Sequence, residues 1–328
     1  MRRLVDMGGQ FASGGYQKTF FTQAAEMLED EDSAYYELMS RLATGVDHEI
    51  LKEYGFNLGY NSWTSGAETI RRKEKELGYN IPWFMVLEYD ASAPDHLPLS
   101  ELNRVIREGR SLGVFSYFVR VRSGLSAALS LCQNNEDCAF TLLLTGPVTA
   151  AEADALFETK NVALTIPASL PEFPAQMELL RSKKLLCGAE VAYSDGDDVW
   201  LSDEGWIDPL SEAGCTFVLL RAEKNVSAQT REAVRNIVCR IRDEQRKPIF
   251  LVDLTSDTRF VDEKISSRPC FFAISAAGLA QAAMAQGTHA AAEAIKDTSL
   301  ISVMEKLMTK LDNWRRPDEE DDTKKTAI

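Results

Sequence analysis

The sequence has no run of apolar residues approaching the roughly 20 that a membrane-spanning helix needs. Arg2 and Arg3 open the chain, but no apolar segment of signal-peptide length follows them. Positive charge is scarce as well, because the formal net charge is −14 and Lys and Arg form no run longer than three residues. Nucleic acids and anionic membranes both require a strongly positive surface. We therefore expect a cytoplasmic protein that binds neither nucleic acid nor a membrane.

Patterns typical of metal binding are also missing. None of the six cysteines precedes Cys132, and no two of them form a C-x-x-C pair. Cys132 and Cys138 are separated by five residues, a spacing that is not typical of a metal site. Cys187, Cys215 and Cys239 occur in apolar segments, which indicates buried thiols. The sequence therefore predicts no metal site.

The three histidines, His48, His96 and His289, belong to no catalytic or metal-ligand spacing. We expect all three to face solvent. The acidic segment 195–198 (DGDD) is similar to half of a calcium loop but lacks the glutamate that completes one, so it predicts a turn.

Apolar segments are plentiful, since hydrophobic residues make up 45% of the 328 residues and charged residues 26%, as in soluble globular proteins. From residue 81 onward, short apolar runs alternate with segments of helical periodicity. The runs are 83–89, 114–121, 138–145, 161–166, 185–193, 215–220 and 248–254. Continuous apolar strands that alternate with helices are typical of a parallel sheet covered by helices. The pattern predicts an α/β fold with a partial or complete (β/α) barrel, and an open doubly wound sheet is the alternative.

The periodicity changes along the chain and predicts four parts. Residues 1–80 form a helical N-terminal segment, and residues 81–262 form the barrel. Residues 263–314 form a small, less regular C-terminal extension, with one strand-like run at 270–275 and one helix after it. Residues 315–328 are polar and charged, which predicts a disordered tail.

The segment 79–94, YNIPWFMVLEYDASAP, resembles the first barrel strand of a group of bacterial radical S-adenosylmethionine (radical SAM) proteins of the SPASM type. The resemblance continues in the same order through 99–119, 131–146, 177–193 and 230–262, and it includes the helical lead-in. It implies a radical-SAM-type barrel. In such proteins a C-x-x-x-C-x-x-C loop after the first strand holds an iron–sulfur cluster.

The motifs that carry the family's chemistry are absent. Pro94 stands where the first cluster cysteine belongs, and only four residues separate it from the helix that begins at Leu99. The GGEP turn that meets S-adenosylmethionine is replaced by residues 121–125, in which only Gly124 survives. Lys264 and Ala283 stand at two positions that correspond to cysteines of an auxiliary cluster, and Cys270 is out of register. The resemblance therefore implies a barrel without an iron–sulfur cluster and without any other cofactor.

Catalytic and binding side chains of such barrels lie at the carboxyl ends of the strands. The candidate pocket residues are Glu88, Tyr89, Asp90, Arg120, Arg122, Tyr193, Arg221 and Asp253, with Thr145, Ser194 and Asp195 beside them. One interpretation is a site for a small anionic ligand, because guanidinium groups bind carboxylate and phosphate in a bidentate manner. The other is that these charges pair with each other and fill a disused pocket. In that case Arg120 or Arg122 should reach Glu88 or Asp90.

The leading hypothesis is a radical-SAM-like pseudoenzyme without catalytic residues, which acts as a binding or regulatory module. Its partner would be an active radical SAM enzyme, another protein or a small anionic ligand. Two alternatives remain open. The pocket could serve an enzyme with non-radical chemistry, or it could still bind S-adenosylmethionine without cleaving it.

Overall fold

The apolar runs of the sequence form the strands of one sheet in the computed structural model, which describes residue 22 and residues 30–266, 270–283, 292–308 and 310. The predictions for residues 1–21 and 23–29, for His289 and for the tail 315–328 lie outside these residues. The strands are β1 (Phe84–Asp90), β2 (Ser116–Ser123), β3 (Ala139–Leu144), β4 (Val162–Pro167), β5 (Cys187–Tyr193), β6 (Phe217–Ala222), β7 (Phe250–Asp253), β8 (Phe271–Ile274), β9 (Leu279–Ala283) and β10 (Glu293–Ala294).

Helices occupy the periodic segments between the strands and the N-terminal lead-in. They are α1 (Tyr35–Gly45), α2 (His48–Phe56), a π-helix (Asn57–Gly66), α3 (Ala67–Leu77), α4 (Leu99–Leu112), α5 (Leu125–Gln133), α6 (Ala150–Glu158), α7 (Phe173–Ser182), α8 (Asp198–Leu201), a 3₁₀ turn (Glu204–Trp206), α9 (Ile207–Glu212), α10 (Ala228–Glu244), α11 (Leu254–Ile265) and α12 (Leu300–Leu307). None of the described helices is both long and apolar enough to cross a bilayer.

The sheet has the order β10-β9-β8-β1-β2-β3-β4-β5-β6-β7. Strands β1 to β8 are parallel to one another, whereas β9 pairs antiparallel with β8 and β10 pairs antiparallel with β9. Within the described residues β7 pairs only with β6, so the sheet does not close. The predicted α/β fold with a partial (β/α) barrel is therefore confirmed, and each of the seven apolar runs overlaps a strand. The predicted strand at 270–275 becomes β8 and lies beside β1.

Successive side chains of each strand point to opposite faces of the sheet. On one face, Tyr117 donates a hydrogen bond from its hydroxyl to the carbonyl of Ile106 in α4 (3.1 Å), so this face packs against the helices. On the other face, Arg120 is paired with Glu88 of β1 and with Leu143 of β3. Leu143 is paired in turn with Thr165 of β4. We call this second face the concave face, because Arg120 reaches across β3 and β4 on it to a side chain of β5.

The N-terminal helices close the amino end of the concave face. Asp47 caps α2 by accepting hydrogen bonds from the backbone N–H groups of Glu49 and Ile50, which satisfies two donors that a helix end leaves free. The cap sets the start of α2, and Tyr54 near its end bonds through its hydroxyl to the Thr141 hydroxyl (2.8 Å). The N-terminal helices thus cover the amino ends of the strands, and a binding site is expected at the carboxyl ends.

Candidate functional site

A buried carboxylate on the concave face, Glu190, is not among the residues predicted from the sequence. Glu190 of β5 has only 5% of its side chain exposed. It accepts hydrogen bonds from Arg120 (Nη2 to Oε2 3.0 Å, Nη1 to Oε1 3.4 Å) and from Arg221 (Nε to Oε1 2.7 Å). Charge-assisted bonds of this kind are the strong ones in proteins. We call Arg120, Glu190 and Arg221 the arginine–glutamate triad.

Three separate strands position the triad. Arg120 extends from β2 and passes over Leu143 and Thr165, the concave-face residues of β3 and β4 at its level. Glu190 stands beside Leu219, and Arg221 follows two residues later on the same face of β6. The side chains of β3 and β4 at this level are short or apolar, so none competes for the guanidinium group. The triad therefore lies towards the carboxyl ends of the strands, where barrel sites are found.

The charges of the triad do not cancel, because two guanidinium groups share one carboxylate. Arg120 is 15% exposed and makes both of its bonds to Glu190. Arg221 is 33% exposed and uses only its Nε. Among the described residues, Nη1 and Nη2 of Arg221 have no protein partner. The triad thus offers free donors and one uncompensated positive charge at the mouth of the concave face.

Arg122 and Glu88 form a second, weaker pair nearby. The distance from Arg122 Nη2 to Glu88 Oε1 is 3.5 Å, and the side chains are 51% and 32% exposed. The expectation that an arginine of β2 reaches Glu88 is confirmed for Arg122, whereas Arg120 turns to Glu190. Because both side chains are exposed and the distance between them is long, the Arg122–Glu88 ion pair contributes little to the stability of the fold.

Asp90 forms hydrogen bonds within a turn and not with the arginines. Its Oδ1 accepts hydrogen bonds from the hydroxyl groups of Ser92 and Ser123, both at 2.6 Å. The bonds from Ser123 and then Ser92 hold the pKa of the Asp90 carboxyl below its usual value. Ser123 follows Arg122, so this network joins the ends of β1 and β2.

Three candidates face the helices and do not lie with the triad. Tyr89, Tyr193 and Asp253 are buried on the opposite face of their strands. Asp253 caps α11 by accepting hydrogen bonds from the backbone of Thr255 and Ser256. Burial raises the pKa of Asp253 and of Tyr193. The expectation that Asp253 joins Glu88, Arg120, Arg122 and Arg221 in one mouth is therefore corrected: strand ends were considered without the face on which each side chain lies.

The remaining candidates are local. Thr145 bonds through its hydroxyl to the carbonyl of Val121 (3.3 Å), and Asp195 accepts from the backbone of Ser227 (2.9 Å). Asp197 accepts from the backbone and hydroxyl of Ser194, so the DGDD segment forms the predicted turn. His96 is half-buried against Tyr89 and bonds through Nδ1 to the carbonyl of Ala93, whereas His48 is exposed as expected.

The thiols lie away from the triad. Cys138, Cys187, Cys215 and Cys270 are at the amino ends of strands, and Cys132 and Cys239 are in helices. Burial raises the pKa of the Cys187 thiol to about 12 and favours the protonated form, which is a poor metal ligand. Within the described part of the chain no three His, Cys, Asp or Glu side chains are grouped as metal ligands.

Glu190 could have been found in the sequence. It is the one charged residue in the segment 185–193 (LLCGAEVAY), which otherwise has the composition of a buried strand. Acidic residues are almost never fully buried unless they are paired. An isolated acid in a strand of this kind therefore predicts a cationic partner on the same face.

No model of a known protein family matches the chain, and no curated protein matches it. Solved structures give distant similarity. A mutant tryptophan synthase α-subunit from Pyrococcus furiosus has 8% identity and a TM-score of 0.38, and the match covers 59% of this chain and 87% of that one. The 3-dehydroquinate dehydratase of Geobacillus kaustophilus has 11% identity and a TM-score of 0.37, with 67% and 91% covered. Tryptophan synthase of Mycobacterium tuberculosis has 12% identity and a TM-score of 0.36, with 66% and 88% covered.

Proposed function

We propose that this protein is a non-catalytic barrel of the radical SAM type that binds a small anionic ligand on its concave face. The resemblance of residues 79–262 to that family supports the first part, together with the short segment between Asp90 and Leu99. An iron–sulfur cluster needs thiolates that converge from one loop. The carboxyl end of β1 instead carries the hydrogen-bonded turn of Asp90, Ser92 and Ser123.

The observation that carries the ligand proposal is the pair of free amino groups of Arg221. Their guanidinium group is held by one bond to Glu190, which fixes its orientation. A planar guanidinium that is already oriented loses less side-chain entropy when it binds a carboxylate or phosphate. Because Glu190 neutralises only one of two arginines, an anion at Arg221 would also complete the local charge balance.

Inorganic phosphate is the simplest probe for this site. A ligand that binds only the folded state at 100 times its dissociation constant stabilises it by about 2.7 kcal/mol. We expect a saturable rise in melting temperature with phosphate, measured against NaCl of the same ionic strength. Arg221→Gln should remove the rise, and Arg72→Gln, which changes an arginine that is 66% exposed on α3, should keep it.

The outcomes separate the alternatives. No saturable rise with phosphate or acetate, or an equal rise in Arg221→Gln, would refute binding at Arg221. A saturable rise with S-adenosylmethionine would instead favour retained nucleoside binding. Anaerobic iron–sulfur reconstitution tests the non-catalytic part: we expect no stoichiometric cluster, and about four irons per chain with broad visible absorbance would overturn it.

A further inference from the structure

The concave face carries apolar side chains that remain partly exposed next to the triad. Phe118 lies two residues before Arg120 on β2. Val252 of β7 is paired with Leu219 of β6, and Leu219 lies two residues before Arg221. Both are half-buried, whereas the apolar residues on the opposite face of the same strands are buried, Val119 and Leu251 among them. Apolar area that stays in contact with water within a concave surface is available for a ligand.

The distances suit a small ligand. Two residues of a strand span about 7 Å, so Phe118 and Arg120 are separated by about the length of an aromatic ring that carries an acid group. The neighbourhood of Phe118 is itself aromatic, since its ring packs edge-on against Phe84 at 5.3 Å between centroids. Phe84 also contacts Phe271 of β8 at 6.2 Å, and Phe271 is 38% exposed. An aromatic cluster thus begins two residues before Arg120 on β2, and the guanidinium groups of Arg120 and Arg221 meet at Glu190.

We infer that the ligand of this site is an amphiphilic anion, an aryl carboxylate or aryl phosphate whose acid group binds Arg221 and whose ring packs against Phe118 and Val252. The inference rests on the proposed anion site and adds the chemistry of the rest of the ligand. The free energy of binding would then come from two sources, a charge-assisted bidentate contact and the removal of aromatic surface from water. Glu190 would disfavour a ligand with a second negative group close to the first.

Titration calorimetry with methyl phosphate and phenyl phosphate tests the inference in the unmodified protein. The two probes share the acid group and differ in the ring. We expect phenyl phosphate to bind at least about tenfold more tightly, a difference of about 1.4 kcal/mol. Phe118→Leu should reduce this ratio, and Val252→Ala should do so independently if Phe118→Leu fails to fold. Phe260→Leu changes a phenylalanine that is 46% exposed on α11, and it should leave the ratio unchanged.

The failures are distinguishable. Equal affinities for the two phosphates would overturn the aromatic inference and leave the anion site standing. No binding of either phosphate would overturn both. A preference for phenyl phosphate that persists in Arg221→Gln and in both concave-face variants would place the ring elsewhere and also contradict the inference.

Discussion

Glu190 shows how one buried residue can control the charge of a whole face. Two arginines from different strands converge on it, and its carboxylate is almost completely shielded from water. Buried charges are costly to desolvate, and removing one partner of such a group leaves the others uncompensated. The stability of the concave face therefore depends on Glu190 more than on either arginine, because only Glu190 contacts both.

Glu190→Gln should destabilise the protein by about 3 kcal/mol, since the substitution keeps the shape of the side chain but leaves two guanidinium groups without a counter-charge. Urea denaturation gives the free energy of unfolding. Glu88→Gln is the matched control: its pair with Arg122 is exposed, and exposed pairs contribute about 0–1 kcal/mol. Equal losses in the two variants would mean that burial does not set the energy of the triad.

The sequence was sufficient to predict which residues lie near the end of a strand. It was not sufficient to predict which of them share a face of the sheet, because that depends on the register of the strands. Arg120 and Arg221 were predicted as site residues because both are near the ends of apolar strands, and the register then places them on the concave face. Asp253 was selected by the same rule and caps a helix instead. Side chains alternate along a strand, so an uncertainty of one residue in a strand's phase moves a candidate to the opposite face.

At the scale of elements, the turn that follows β1 is short and packs against the end of β2. The backbone N–H of Ser92 donates to the Ser123 hydroxyl (2.9 Å), which ties this turn to the end of β2. Gly124, the residue before α5, has a φ of +77°, and a Cβ at this position would lie 2.6 Å from the Cβ of Ala91. Gly124 is therefore needed for close packing between two turns.

Gly124→Ala should destabilise the protein by more than the roughly 1–2 kcal/mol expected for a left-handed backbone with a Cβ, because it adds a clash with Ala91. Gly196→Ala separates the two effects. Gly196 has a φ of +89° and no atom within 4 Å of an added Cβ, so only the backbone strain applies. Thermal or urea unfolding measures both losses. A loss in Gly124→Ala no greater than that in Gly196→Ala would show that the two turns can move apart.

A buried acid joins α11 to β8. Asp262 of α11 is fully buried and accepts a hydrogen bond from the backbone N–H of Cys270, the residue before β8. Burial raises the pKa of Asp262 well above its ordinary value, and the nearby charge of Glu74 raises it further. The folded protein thus keeps the Asp262 proton at pH values where the unfolded chain has lost it.

A raised pKa in the folded state means that stability falls as pH rises, from the unfolded pKa of about 4 up to the folded value. Asp262→Asn has no proton to lose, so its free energy of unfolding should decline less between pH 5 and pH 8 than that of the unmodified protein. Asp195→Asn should not alter this interval, because hydrogen bonds from Ser227 lower the pKa of Asp195. The slope against pH, measured by urea unfolding, is the quantity to compare. Parallel slopes in all three proteins would contradict a protonated Asp262.

At the scale of the whole molecule, the alternation of strands and helices was sufficient to predict a parallel sheet with helices. The position of β8 was not predictable in this way. It lies beside β1 and leaves β7 at an open edge within the described residues, and the sequence separation between β1 and β8 gives no sign of that pairing. Long-range pairing depends on which edge is apolar and accessible after the other strands are in place. Buried residues such as Phe272, Ile274 and Met85 favour this arrangement only once the sheet has formed.

The net charge of −14 predicts how the whole molecule responds to salt. Excess negative charge repels itself over long distances and destabilises the compact state. Raising NaCl from 10 mM to 100 mM shortens the Debye length from about 30 Å to about 10 Å, so this repulsion is largely screened. The same salt weakens exposed ion pairs such as Lys52–Glu49, but each of these contributes only about 0–1 kcal/mol. We therefore expect the melting temperature to rise with NaCl.

Chloride could also raise the melting temperature by binding at Arg221, and Arg221→Gln distinguishes the two causes. General screening acts on the entire surface, so the variant should show the same rise with NaCl as the unmodified protein. A rise that disappears in Arg221→Gln would instead identify chloride as a ligand of the triad, and would add evidence for the anion site. A melting temperature that falls with NaCl in both proteins would mean that local ion pairs outweigh the repulsion of 50 acidic against 36 basic residues.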